Sequence, residues 1–497
     1  MVNLQNELEI SNKRQERNNE YGAEWASKAV TYLRSILRDE DPLLNKNRPQ
    51  DVSCPKVPPR LRSQARSKDY YDPRIVSFGP YHHGKAESQA AQMTKTKVMQ
   101  NFILEHEKSI EDLYIEVREL NDHARSCYVH GSMSDYSDEE FALMMLEDGC
   151  FILFFIEWMT STFQKDKEWM ISWKRDIIIM VVNQLGILEL EYLYRDLLLL
   201  ENQIPFSVLY VLMRNIYGEN EGLTMIKSFL SMIHWRNFQK EDKQYEDEEK
   251  PVHLLGLMKT LISKSGDHVK TMPENQKYMD MNRNFHSFGS VSDLQAKGIN
   301  FKPSNSISLL SALLKEKPKS ISLRDVDFRS GFFFTGELKL PPLILDIDSK
   351  VYYTNLMAFE LCTCTVFTVT SYINFMNSLI ANTEDVKALR SKHIILHTSS
   401  DKEVLKMLKE ISPTDLPPNW FIYKDVIQKI QRNYNKTINM WIGEMSYKYF
   451  SHPWSVIGLL AAVAALILTF PQAFYTIYPR KGKVQEINCS YIIRQHI

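Results

Sequence analysis

The 497-residue chain contains little cysteine and no excess of charge of either sign. Its six cysteines are too few and too scattered to hold a chain of this length by disulfides, so we expect them to be mostly reduced thiols. The 60 lysines and arginines are balanced by 61 acidic residues, which leaves a net charge of −1 and no general attraction for nucleic acid. The composition therefore predicts a protein without a nucleic-acid partner.

The motifs of several common enzyme classes are also missing from the sequence. It has no glycine-rich phosphate-binding loop, no Gly-x-Ser-x-Gly turn around a nucleophilic serine and no His-Glu-x-x-His zinc motif. The polar stretch 1–20 has no apolar run of the kind found in a secretory signal. We therefore predict no catalytic residue, no cofactor and no metal ion.

One long stretch near the C-terminus contains no charged residue. Between Ser451 and Pro479 there is no Asp, Glu, Lys or Arg, and 454–478 is long enough to cross the ~30 Å hydrocarbon layer as a helix. The stretch predicts a single transmembrane helix anchored by Trp454 and Tyr478, and we expect the protein at the plasma membrane. Basic residues after the span predict an external main domain, whereas the short tail predicts a cytosolic one, so the orientation stays open.

Helical periodicity dominates the remainder of the chain, and shorter strand-like segments occur near 300–350. This pattern predicts a mainly α fold: a multi-helix soluble region with a small β element. The length allows more than one core. In chain order we predict a disordered leader (1–20), an N-terminal helical lobe (21–238), mobile polar insertions around a short helix (239–290), a C-terminal lobe (291–450), the membrane helix (454–478) and a short basic tail (479–497).

Two groups of residues could support an enzymatic alternative, as a hydrolase or a transferase. His82 and His83 are adjacent imidazoles, which can act as bases or zinc ligands. Adjacent histidines rarely bind one ion, so we favour a structural turn. Asp346 and Asp348 resemble carboxylate pairs that hold Mg²⁺. Their context has no nucleotide-binding loop, so we favour a strand end followed by a turn.

Four segments, taken together and in order, resemble the plant family called DUF247 or UPF0481. They are 73–84, with Gly-Pro-Tyr-His-His-Gly; 147–152, with Glu-Asp-Gly-Cys; 196–206, with Glu-Asn-Gln-Ile-Pro-Phe; and Pro453-Trp454. The resemblance implies a mostly helical plant protein with one C-terminal membrane helix and no established enzymatic activity. We interpret its motif residues as structural: Gly79, Pro80, Tyr81, His82, His83, Gly84, Asp148, Gly149, Cys150, Glu201, Asn202, Gln203, Pro205 and Phe206.

The resemblance also implies a class of function. Some DUF247 relatives are implicated as pollen-side specificity determinants of grass self-incompatibility that act with small secreted proteins. We therefore expect a membrane-anchored protein that acts in recognition or signalling by contacting a protein or peptide partner. The polar insertions 239–250 and 264–290 are the expected contact loops, because loops tolerate change on a fixed scaffold. A structural membrane scaffold is the second alternative.

Overall fold

The computed structural model describes most of the chain between residues 53 and 477. The predicted leader 1–20, the insertion 239–250, almost all of 264–290 and the tail 479–497 lie outside the described residues. The described residues are 53–63, 68–84, 89–129, 131–133, 135–163, 173–186, 190–233, 251–263, 289–304, 322–331, 335–363, 367–397, 399–411, 421–434 and 453–477.

The described part of the chain is mainly helical, as the periodicity predicts. In the N-terminal half the described elements are helices. They are α1 (Pro59–Arg62), α2 (Lys68–Tyr71), α3 (Gln89–Glu105), α4 (Ile110–Glu119), α5 (Asn121–Ser126), α6 (Asp138–Phe163), α7 (Trp173–Leu185), α8 (Leu190–Asp196), α9 (Phe206–Ile216), α10 (Glu219–Ile233) and α11 (Leu254–Ser263).

Helix α6 is the centre of the N-terminal half. It is 26 residues long, and nearly every side chain from Phe141 to Ile156 is buried, because α3, α4, α9 and α10 pack around it. A helix that is apolar on all sides is expected at the core of a large domain. Gly149 lets α9 approach closely, since a Cβ atom at this position would lie 2.4 Å from Cδ1 of Leu212.

The C-terminal half combines helices with two small sheets. In the first sheet, of order β1-β3-β2, β1 is parallel to β3 and β2 is antiparallel to it; in the second, β4 and β5 are parallel. The small β element predicted near 300–350 is thus present. The elements are α12 (Val291–Ala296), β1 (Ile299–Pro303), β2 (Asp327–Ser330), β3 (Gly336–Leu340), β4 (Leu343–Ile344), α13 (Ile347–Thr363), α14 (Thr368–Leu379), α15 (Thr383–Ser391), β5 (Ile395–Leu396), α16 (Asp401–Ile411) and α17 (Lys424–Tyr434).

A single hydrophobic core connects the two halves. Buried apolar side chains form one cluster that extends along the chain from Cys54 to Ile430. Asn355 of α13, which is fully buried, joins the halves through hydrogen bonds as well. Its Oδ1 accepts from the Leu200 N–H at 2.8 Å, and its Nδ2 donates to the Tyr70 carbonyl at 2.7 Å. The N-terminal half is therefore held in a fixed position against α13.

The apolar stretch near the C-terminus forms a last helix, α18 (Pro453–Ile477), but the membrane prediction fails. Among the described residues, no helix combines the length and apolarity needed to cross a membrane. The predicted transmembrane helix at 454–478 is therefore wrong for the part of the chain that the structure describes; of its two predicted anchors, Trp454 lies in the first turn of α18 and Tyr478 lies outside the described residues.

Candidate functional site

Polar side chains from distant parts of the sequence meet in the N-terminal half of the molecule. They belong to α3, to the middle of α6 and to the connection between α8 and α9, and they surround the extended segment 74–79. We call Lys95, Asp148, Asp196, Asn202 and Gln203 the inner cluster. A second group lies nearer the surface, and we call Arg62, His82 and Glu201 the outer cluster.

Lys95 and Asp148 form a buried ion pair at the base of the inner cluster. The Lys95 Nζ donates to Oδ1 of Asp148 at 2.5 Å and to the Ser77 carbonyl at 2.9 Å, and each of the paired side chains is 1% exposed. The other carboxylate oxygen of Asp148 accepts from the Gly79 N–H at 2.7 Å. A buried charge needs both an opposite charge and hydrogen bonds. Here each side chain supplies the opposite charge for the other, and the hydrogen bonds to Ser77 and Gly79 fix the backbone of the turn.

Asp196, the last residue of α8, fixes the start of the same segment. Its carboxylate accepts from the N–H groups of Arg74 (3.0 Å to Oδ1), Ile75 (2.7 Å) and Val76 (3.0 Å). Burial raises the pKa of Asp196 to about 6, although these backbone donors act in the opposite direction. The carboxylate thus serves as a shared acceptor for successive N–H groups of an extended segment.

Asn202 and Gln203 close the cluster from the α8–α9 connection. The Asn202 Oδ1 accepts from the Phe78 N–H at 2.7 Å, and its Nδ2 donates to the carbonyls of Val76 (3.0 Å) and Asp196 (2.8 Å). Gln203 donates to the carbonyls of Leu197 and Leu199, both at 2.8 Å, and accepts from the Leu255 N–H. These two amides satisfy backbone groups that a helix end leaves without partners, as the sequence predicts.

Gly79 lies where this connection and the turn approach most closely. Its φ is +66°, and a Cβ atom would lie 2.7 Å from the Gln203 carbonyl oxygen and 3.0 Å from the Tyr128 hydroxyl. The Tyr128 hydroxyl itself donates to the Gln203 carbonyl at 3.0 Å. Glycine is therefore required here both by the backbone conformation and by the available space.

The outer cluster is centred on the carboxylate of Glu201. It accepts from the Val57 N–H at 2.7 Å and from Nε and Nη2 of Arg62 at 3.3 and 2.5 Å. Arg62 also pairs with Asp72 at 2.9 Å. The Nε2 atom of His82 lies 3.6 Å from Glu201, and the His82 side chain is 3% exposed. The cluster attaches the segment around α1 to the α8–α9 connection.

The remaining residues of the Gly-Pro-Tyr-His-His-Gly turn have separate contacts. The Tyr81 hydroxyl donates to the Cys54 carbonyl at 2.8 Å and accepts from the Val129 N–H at 3.0 Å. The His83 ring packs edge-on against Tyr136, and burial lowers the pKa of this imidazole. The Pro80 carbonyl accepts from the Tyr136 hydroxyl at 3.4 Å, and Gly84 has φ +76°. His82 and His83 thus contact different partners.

The other motif residues near the two clusters are buried in the core or lie at the start of α9. Cys150 on α6 is completely buried, and burial raises the pKa of its thiol. Burial also raises the pKa of Glu147, which accepts from Gln92 and Thr96. Pro205 precedes α9 in the N-cap position, and the buried Phe206 donates its N–H to the Val252 carbonyl at 2.9 Å.

Asp346 and Asp348 lie in the C-terminal half, in the turn that begins α13. The Oδ1 atom of Asp346 accepts from the Ser349 N–H at 2.6 Å, and the Ser349 hydroxyl donates to the Asp346 carbonyl at 2.8 Å. Asp348 is exposed and lies in the first turn of the helix. Within the described ranges, no group of three or more His, Cys, Asp or Glu side chains could hold a metal ion.

Three important residues were not singled out from the sequence. Lys95 had a detectable signal, because it occupies the apolar stripe formed on α3 by Ala91, Val98 and Phe102 at spacings of three and four. Asp196 was included only as the start of a motif. Asn355 carried no signal, since its role depends on backbone groups of Tyr70 and Leu200, which are remote in the sequence.

Comparison with known proteins assigns the family. The family model DUF247, described as a plant protein of unknown function, matches residues 54–468, which is most of the chain. The chain belongs to the DUF247 family. The resemblance seen in its motifs is thereby confirmed, and the residues of both clusters fall within the range that matches DUF247.

Two Arabidopsis thaliana proteins of the same family are similar to this DUF247 chain. UPF0481 protein At3g47200 is 27% identical over 422 residues, which cover 81% of the chain and 82% of that protein. Putative UPF0481 protein At3g02645 is 28% identical over 191 residues, covering 38% of the chain and 33% of the relative. No solved structure matches the chain.

Proposed function

We propose that this DUF247 protein is a non-catalytic recognition protein, in which the inner and outer clusters hold a rigid helical scaffold and the outer surface of the N-terminal half binds a protein partner. The proposal rests on one observation: the motif side chains form hydrogen bonds with backbone groups of their own chain. Asp148, Asp196 and Asn202 together accept from or donate to backbone groups between Arg74 and Gly79. Side chains used in this way support a scaffold.

A surface suited to a protein partner lies on α4 and α6. Ile115 is 54% exposed and Leu143 is 44% exposed. Each lies within one helical turn of the ion pair between Arg118 and Glu139, which joins the two helices at 3.2 Å. We call Ile115 and Leu143 the α4–α6 surface.

Charged groups border this surface on the side of α9. Glu116, next to Ile115, accepts from Arg214 at 2.8 Å and from Asn215 at 2.9 Å. Large apolar side chains bordered by charged and polar groups are typical of protein interfaces, where the apolar centre supplies affinity and the rim supplies specificity. This arrangement supports a partner that presents an apolar side chain surrounded by polar groups.

The test is proximity labelling in plant cells with a tagged, functional protein, followed by binding assays with each candidate partner. The variant Ile115→Glu/Leu143→Glu places two charges on the α4–α6 surface. We expect it to weaken the binding of a genuine partner at least ~10-fold, which corresponds to about 1.4 kcal/mol. The matched control is Ile179→Glu on α7, because Ile179 is also 44% exposed.

Far-ultraviolet circular dichroism and melting temperature establish that each variant is folded before binding is compared. Loss of binding in the surface variant with retention in the Ile179 variant supports the proposal. Equal binding by the wild-type protein and both variants would exclude the α4–α6 surface. A catalytic role would gain support if folded His82→Gln or His83→Gln variants lost function while all partner binding persisted.

A further inference from the structure

The exposed apolar residues of the α4–α6 surface have acidic neighbours. On α4, the exposed residues Glu111 and Asp112 lie one helical turn before Ile115. Glu119, which is also exposed, lies one turn after it. Residues three and four positions apart are neighbours on the surface of a helix, so carboxylates border the isoleucine in both directions along α4.

Leu143 has a similar setting on α6. The exposed residues Glu139 and Glu140 precede it by four and three positions, so they too lie beside it on the helix. Because α4 packs against α6 and Arg118 pairs with Glu139 across them, the two apolar side chains and their acidic neighbours belong to one surface. An apolar centre with an acidic border is therefore present on both helices.

Helix stability alone does not explain the acidic residues of α4. The helix dipole favours carboxylates in the first turn, which accounts for Glu111 and Asp112, but Glu119 lies in the last turn, where the dipole opposes it. The ten residues of α4 contain four acidic residues and one arginine. That arginine, Arg118, is already paired with Glu139 of α6. The border of the surface thus carries a net negative charge.

The charge of this border distinguishes the partners that an exposed apolar surface could bind. A second copy of the chain, placed symmetrically on the same surface, would bring like charges together. Anionic lipid headgroups and the phosphates of a nucleic acid would be repelled in the same way. A protein segment that presents lysine or arginine around apolar side chains is attracted, because both its charge and its apolar part find a complement.

We infer that the partner of the α4–α6 surface is a positively charged amphipathic protein segment. Its apolar side chains contact Ile115 and Leu143, and its lysines or arginines contact Glu111, Asp112 and Glu119. The apolar contacts supply affinity, whereas the charges at the rim select the partner and speed its approach. This partner chemistry rests on the proposed function, because it describes what binds the same surface.

The experiment measures the binding of three synthetic helical peptides to the folded, full-length protein by fluorescence anisotropy. All three carry leucines at spacings of three and four on one face, and the other face carries lysine, glutamine or glutamate. We expect the lysine peptide to bind at least ~10-fold more tightly than the glutamine peptide, and the glutamate peptide to bind most weakly. Raising NaCl from about 0.05 M to about 0.5 M should remove most of this preference, because salt screens exposed charges.

Two variants assign the preference to named residues. Glu111→Gln/Asp112→Asn/Glu119→Gln keeps the apolar side chains, and we expect it to weaken binding of the lysine peptide about 10-fold while binding of the glutamine peptide is unchanged. Ile115→Asn/Leu143→Asn keeps the charges, and we expect it to weaken the binding of all three peptides, because the apolar contacts are lost.

The matched control removes three exposed carboxylates from the first turns of other helices. It is Asp176→Asn/Glu384→Gln/Asp425→Asn, on α7, α15 and α17, and it changes the net charge by the same amount. We expect this variant to bind the lysine peptide as the wild-type protein does. Circular dichroism and melting temperature establish that every variant is folded before affinities are compared.

Each outcome either supports the inference or overturns it. Equal affinities of the lysine and glutamine peptides, or no binding of the lysine peptide at about 1 mM, would overturn it. Equal weakening by the two triple variants would indicate attraction by the net charge of the protein and would also overturn it. Loss of a genuine partner in Ile115→Glu/Leu143→Glu alongside equal peptide affinities would leave the proposed function intact. Full binding of the lysine peptide by Ile115→Asn/Leu143→Asn would overturn the proposed surface as well.

Discussion

The inner and outer clusters use the same chemistry at different depths. In each, a cation contacts a carboxylate at 2.5 Å, and that carboxylate also accepts a backbone N–H from another segment. Lys95 and Asp148 are each 1% exposed, whereas Arg62 is 30% exposed and Glu201 is 8% exposed. The two pairs differ most in burial, and Arg62 has in addition a second carboxylate partner in Asp72.

The degree of burial determines how much each carboxylate contributes to the stability of the fold. Lys95 and Asp148 are each 1% exposed, so loss of either would leave the other as a buried charge without its partner. Water can replace part of what Arg62 supplies to Glu201, because the arginine is nearer the surface. We therefore expect the inner cluster to determine whether the scaffold folds and the outer cluster to hold the segment around α1 against a scaffold that is already formed.

The largest effect is expected from Asp148→Ala. The substitution leaves the buried Lys95 ammonium without its counter-charge and the Gly79 N–H without its acceptor. Removal of one partner of a buried ion pair typically costs about 3–5 kcal/mol. Urea unfolding followed by circular dichroism measures this free energy directly.

Two further variants define the cause of that loss. Lys95→Met/Asp148→Leu removes both charges, and we expect it to recover much of the stability because no buried charge remains. The control on the same helix is Glu139→Ala, whose pair with Arg118 is exposed; its expected cost is below about 1 kcal/mol. If Asp148→Ala were no worse than Glu139→Ala, the inner ion pair would not stabilise the fold.

An intermediate effect is expected from the titration of Asp196. Burial raises its folded-state pKa to about 6, whereas the unfolded chain ionises the same carboxyl near pH 4. Between about pH 4 and 6 the folded protein therefore binds more protons than the unfolded chain, and its free energy of unfolding falls as pH rises. The loss of unfolding free energy caused by burying the ionised Asp196 carboxylate is fully present above about pH 6 and absent below about pH 4.

Comparison with Asp196→Asn isolates this contribution, because the other titrating groups are shared. The shift of roughly two pH units corresponds to about 3 kcal/mol. We expect the stability of the wild-type protein relative to the variant to decrease by up to this amount between pH 4 and 6.5, as measured by urea unfolding at each pH. A constant difference would show that the backbone donors balance burial at Asp196, and a difference that grows with pH would show that they outweigh it.

The helical part of the fold could be predicted because its determinants are local. The 26 residues of α6 contain a nearly continuous apolar sequence, and the capping role of Asn202 and Gln203 follows from their position between two helices. The membrane prediction is also local, but among the described residues no helix combines the length and the apolarity that a membrane span needs. A local pattern determines a helix more reliably than it determines the surroundings of that helix.

The composition of the inner cluster could be predicted only in part. Its pairings join positions separated by 53 residues, as in Lys95 and Asp148, or by 120 or more, as between Asp196 and the segment beginning at Arg74. No periodicity within one sequence indicates which acidic residue meets which backbone segment. The lysine in the apolar stripe of α3 signals that a buried acid exists somewhere, and the fold then identifies it as Asp148.

The smallest effect in the comparison is expected from Arg62→Gln. Glu201 keeps the Val57 N–H at 2.7 Å, and water can approach the position vacated by the guanidinium, so we expect a loss of about 1 kcal/mol or less. Arg60→Gln, an exposed position on the same short helix, is the control for the loss of one positive charge. The free energy is measured by urea unfolding in low salt and in 1 M NaCl, where screening should reduce the effect of Arg62→Gln further. A loss as large as that of Asp148→Ala, and insensitive to salt, would mean that the scaffold needs the outer cluster as much as the inner one. Burial would then not determine how much each ion pair stabilises the fold.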